Sequence, residues 1–192
     1  MKKITTTLAL MFFSILSHAQ VFMGIPISGP ITEFSTKIKA KGFTIKPAES
    51  TPTMLMFKGT MGGKDVEVAV VCTPTSKLTK KVVVFYPIET TWYSLKSEYD
   101  EIAQIITNKY GASDEQYNFF SSPYEEGDGY EMTAIAVEKC YWMAVWKNNS
   151  QYPNQTLAVR ITKSKRVMLA YENNELMEQS DVEQEKIDAN NY

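Results

Sequence analysis

Thr91-Trp92-Tyr93-Ser94-Leu95-Lys96-Ser97-Glu98-Tyr99-Asp100-Glu101-Ile102-Ala103-Gln104-Ile105-Ile106-Thr107-Asn108-Lys109-Tyr110-Gly111 carries the clearest regular signal in the chain. Trp92, Leu95, Tyr99, Ile102 and Ile106 recur at three- and four-residue intervals, the period of one α-helical face. Thr91 can cap the start through its hydroxyl, Gly111 suits the stop, and Glu98, Asp100 and Glu101 belong to a solvated side. A helix with a single apolar face must bury it against another layer, so the flanking sequence has to supply a sheet.

The flanks read that way. Upstream, a shorter helix is expected from Pro30 to Gly42, with Ile31, Phe34 and Ile38 on one face, Pro30 in the first turn and Gly42 as a left-handed cap. After it the period changes to two, in β-rich runs at 54–58, 66–72 and 82–86, broken by Gly62-Gly63 and Thr75-Ser76-Lys77. Downstream of the long helix, further strands are expected at 130–137, 141–146, 157–162 and 167–171. The expected fold is α+β: about seven antiparallel strands with two main helices on one face.

A helix followed by a meander thus occurs twice, and two tandem units at 24–88 and 89–172 would account for it. Gly42 precedes Cys72 by 30 residues and Gly111 precedes Cys140 by 29, an echo as compatible with coincidence as with a repeat. From Glu172 onward there are seven acids against Lys186 alone, so 173–192 is expected to be an acidic, partly disordered tail that starts as a helical turn near Leu176.

Residues 1–19 have the three zones of a secretory signal peptide: Lys2 and Lys3, the apolar Leu8 to Leu16, and Ser17-His18-Ala19 before the cut. Cleavage there leaves 173 of the 192 residues, beginning at Gln20, enough for one domain with a substantial core. The apolar run is about half the roughly 20 residues that span a bilayer, and no cysteine follows it for acylation. The expected location is secreted or periplasmic, with no membrane insertion. Without Lys2 and Lys3 the balance is 18 basic to 22 acidic residues, and residues 20–171 carry only +2, which gives no footprint for nucleic acid.

His18 is the sole histidine and leaves with the leader, so Ser-His-Asp, Cys-His and histidine-based zinc sites are closed to the remaining chain. No metal or cofactor is expected. Carboxylate chemistry stays open through Glu125, Glu126, Asp128 and Glu131, whose alternation with Gly127 and Gly129 suits either a solvated turn or an oxygen-rich calcium loop of non-standard spacing. Cys72 and Cys140, in an exported protein, are either a disulfide worth on the order of 4 kcal/mol or two packed thiols. Arg160, Lys163, Lys165 and Arg166 flank an expected hairpin turn and keep it soluble. The most suggestive surface is Tyr141-Trp142-Met143-Ala144-Val145-Trp146, where alternate side chains go to opposite faces. Tyr141, Trp142 and Trp146, with Tyr130, either form a patch for a protein or carbohydrate partner or fill the core beneath Trp92 and Tyr99.

Gly24-Ile25-Pro26-Ile27-Ser28-Gly29, Phe34, Lys41-Gly42-Phe43, Phe57-Lys58-Gly59, Trp92, Tyr99, Lys109-Tyr110-Gly111 and the final strand before an acidic tail resemble a group of small secreted Bacteroidetes proteins of unassigned function. The layout is similar, more distantly, to the tandem αβ plan of beta-lactamase inhibitor proteins and of small outer-membrane assembly lipoproteins, from which the missing acylated cysteine departs. The expectation is a non-catalytic binding protein. Its alternatives are a small carboxylate-dependent hydrolase or lyase and an envelope-associated inhibitor or assembly factor.

Overall fold

In a computed structural model, residues 21–149 and 152–190 are described. The expected signal peptide lies outside them. A two-stranded hairpin, β1 (Val21–Phe22) and β2 (Ile25–Pro26), leads into helix α1 (Ile31–Ala40). There follow β3 (Thr44–Ile45), β4 (Met54–Met61), β5 (Lys64–Cys72) and β6 (Thr79–Ile88). Helix α2 (Trp92–Tyr110) opens the second half, with β7 (Glu115–Phe120), α3 (Glu131–Ala136), β8 (Cys140–Asn149), β9 (Tyr152–Ile161), β10 (Arg166–Asn173) and α4 (Asn174–Ala189) after it.

The fold is α+β and antiparallel: eight strands form one sheet in the order β3-β4-β5-β6-β10-β9-β8-β7. Each half is a meander after a helix, and the two meet through their last strands, with Val84 opposite Leu169. The cysteine echo is not part of this plan, since Cys72 ends the third strand of one meander and Cys140 begins the second strand of the other. Both cysteines are free.

One face carries the main core. Val66, Val68, Val70, Val82, Val84, Tyr86, Val159, Val167 and Leu169 alternate along the strands to meet Ile31, Phe34 and Ile38 of α1 and Leu95, Tyr99, Ile102 and Ile106 of α2. The helix caps follow the local chemistry: Thr91 Oγ1 accepts from Ser94 N at 3.1 Å, and Gly42 takes φ +93° just past α1. Lys64 fastens α2 to the sheet through Glu98 at 2.9 Å and Glu101 at 2.7 Å.

Three elements depart from expectation. The segment 130–137 is not a strand; Glu131–Ala136 is a short helix that buries Ala134 and Ile135. Over six residues of helix-forming Glu, Met and Ala, a period of two cannot be told from a turn of helix. The strand beside β8 is instead β7, which is mostly exposed and so shows no apolar alternation. The stretch Asn174–Ala189 is not a fraying tail but a 16-residue helix. The Asn173 side chain accepts from Leu176 N at 3.2 Å, and Glu183 of α4 accepts from Thr75 N at 2.7 Å, Ser76 N at 3.1 Å and Ser76 Oγ at 2.6 Å.

Candidate functional site

The other face of the sheet is turned away from α1 and α2. Its own small cluster, Met56, Ala69, Val83 and Ala170 with Met54, Phe85 and Met168 packed against it, consists of strand residues throughout. Above that cluster the register sets a continuous row across six strands: Tyr117 opposite Met143, Met143 opposite Arg160, Arg160 opposite Met168, Met168 opposite Phe85, and Phe85 opposite Glu67. Cross-strand neighbours stand about 4.5–5.5 Å apart, so these side chains form one surface.

Phe119 and Tyr141 extend this surface toward the β7 edge. Their rings stack with centroids 4.9 Å apart and planes at 19°, and they are 48% and 46% exposed, so the pair stands at the surface instead of filling the interior. The row and this pair line a groove of about 890 Å³, with Thr162, Lys163 and Ser164 of the β9–β10 turn also in its lining.

The charges in this groove are unequally matched. Glu67 receives Lys46 and, at 2.9 Å, Arg166 Nη1; the hydrogen bond from Lys46 and then that from Arg166 hold its carboxyl below the ordinary carboxylate range. Arg166 also donates from Nε to the Tyr86 carbonyl at 2.9 Å and lies over the Phe85 ring at 5.0 Å. Lys163 and Glu138 stand 3.5 Å apart at the rim. Arg160 is exposed and, alone among the charged groove residues described, has no opposite partner.

The expected surface residues divide. Trp142 and Trp146 are 6% and 2% exposed and belong to the main core; Trp146 takes no part in the groove, and Trp142 reaches only its lining. Trp142 meets the Trp92 ring edge-on at 5.0 Å and packs on Phe120 at 5.7 Å, and Trp146 Nε1 donates to the Gly111 carbonyl at 2.9 Å. Burial wins because the start and end of α2 sit on these indoles. Tyr141 takes the opposite face and lines the groove, whereas Tyr130 is exposed just before α3 and is not part of it.

Two acids of the loop accept from its own backbone and a third from Trp92. Asp128 accepts from Glu125 N at 2.9 Å and Tyr130 N at 2.7 Å, Glu131 accepts from Gly127 N at 2.8 Å, and Glu126 accepts from Trp92 Nε1 at 3.2 Å. These carboxylates therefore order the turn into α3. Among the described residues no group of three or more His, Cys, Asp and Glu is placed to hold a metal. Burial pushes the Cys140 thiol up to about 12 and raises that of Cys72, the opposite of an activated nucleophile.

Arg160 was hidden in the sequence inside a hairpin's basic group. Its signal is positional: it shares a face with Ala158 in the stretch from Leu157 to Ile161, which is otherwise apolar. No protein-family model, curated protein or solved structure matches this chain. The site has to be understood from its own chemistry.

Proposed function

We propose that this chain is an exported, non-catalytic binding protein that holds its ligand on the sheet face opposite α1 and α2. The observation that carries this is the Phe119–Tyr141 stack, nearly half exposed and continuous with Tyr117, Met143, Met168 and Phe85 in one groove. Aromatic area in a concave, mostly apolar site with few polar groups is what ligand sites share. Methionines add a surface that adapts to its contact. Neither helix competes for this face, because both are spent on the main core.

Two measurements test the proposal. The double variant Phe119→Ser, Tyr141→Ser should melt close to the parent yet lose whatever the parent captures from its own envelope and medium. Equal capture by both proteins, or turnover of a natural compound by the parent, would sink it. The mass of the protein recovered outside the cytoplasm should correspond to a start at Gln20, and a retained leader would remove the export half of the proposal.

A further inference from the structure

The unpaired guanidinium decides what kind of ligand this groove suits. Arg160 stands between Met143 and Met168 in a row that is otherwise apolar until Glu67 at its far end, while Arg166 is already engaged by that Glu67. A cation with apolar flanks gains from an anion that arrives with an apolar body, since the charge is matched in the same event that covers Met143, Met168, Tyr117 and Phe85. Glu67 and Glu138 each pair with another cation, and neither pairs with Arg160. The volume, about 890 Å³, lies within the range of small-molecule sites, roughly 300–1,000 Å³.

We propose that the groove binds a small organic acid, with its anionic group on Arg160 and an apolar, ring-bearing body laid along Tyr117, Met143, Met168 and Phe85. This rests on the proposal that the groove-bearing face is the binding surface, and it adds the class of ligand.

A matched pair of dyes tests it: 8-anilinonaphthalene-1-sulfonate carries an anion, and N-phenyl-1-naphthylamine has the same rings without it. Fluorescence titration of the purified protein should give at least about tenfold tighter binding of the sulfonate, the scale of one charge-assisted hydrogen bond. Arg160→Gln should erase that preference while the neutral dye binds within about twofold of the parent, and Arg160→Lys should keep part of it. Met143→Asp should abolish binding of both, and thermal melts of all variants should establish that they are folded. Naphthalene-1-acetate should displace the sulfonate at about tenfold lower concentration than naphthalene-1-acetamide.

Equal affinity for the two dyes, or an Arg160→Gln protein that still prefers the sulfonate, overturns the acid proposal and leaves ligand binding on this face standing. Failure of both dyes to bind the groove overturns the two together. Displacement by acetyl-Phe-Glu-Phe-amide but not by naphthalene-1-acetate would assign Arg160 to a protein partner's acidic side chain and overturn the small-molecule assignment.

Discussion

Arg166 Nη1 stands 2.9 Å from Glu67 Oε2, joining the final strand of the second meander to the third strand of the first across β6. The guanidinium also caps the Tyr86 carbonyl on the intervening strand. One side chain therefore spans the seam between the halves.

Glu67→Gln should cost about 1–2 kcal/mol in urea unfolding, the scale of losing hydrogen bonds to charged groups. The loss should be coupled to Arg166→Met by about 1 kcal/mol in a double-mutant cycle. The Glu67 carboxyl titrates lower in the folded state than unfolded, so its contribution is full above the ordinary value of 4.5 and fades as pH falls below it. In Glu67→Gln, the acid side of the stability profile should be flatter.

Adjacent aromatics should give opposite outcomes. Trp142→Ala empties a site packed by Trp92 and Phe120 and should cost about 3–5 kcal/mol, whereas Tyr141→Ala should stay within about 1 kcal/mol of the parent. Similar losses at the two positions in chemical denaturation would contradict the assignment of faces.

Helix α4 has an acid-sensitive anchor. The hydrogen bonds from Ser76 and from the Thr75 amide hold the Glu183 carboxyl down to about 2. Because the folded value lies below the unfolded one, docking is fully supported above about pH 4.5 and weakens as pH falls toward 2. Glu183→Ala at neutral pH should reproduce the acid behaviour: faster amide exchange across Asn174–Ala189, with the sheet unchanged.

The thiols should be silent in the folded protein. At pH 8, iodoacetamide should label neither Cys72 nor Cys140 natively, and both should be labelled in denaturant without reductant. A mass that shows labelling only after reduction would reveal a bridge.

How far the sequence was legible depended on whether a residue's partner lay nearby in the chain. The α2 boundaries were readable because Thr91 and Gly111 act on the helix's own backbone, and the alternating valines of β5 with the valine run of β6 announced strands of a sheet. Strand β7 was not readable, because its exposed residues are extended only through pairing with β8. The length of α4 was hidden for a similar reason: Glu183 is held by a turn 107 residues away, and composition alone made it one more acid in a tail. Trp142 and Tyr141 illustrate the limit within the site, since alternation separated their faces but could not say which face the helices would cover.

The seam at β6 and β10 also constrains assembly in time. Val82, Val83, Val84 and Phe85 acquire their second neighbouring strand only when residues beyond Arg166 are present, more than 80 positions later. A nascent or truncated polypeptide that stops short of β10 displays a valine-rich edge to every other chain around it, and such edges seed aggregation. The last strand thus completes the sheet as a latch over the β6 edge.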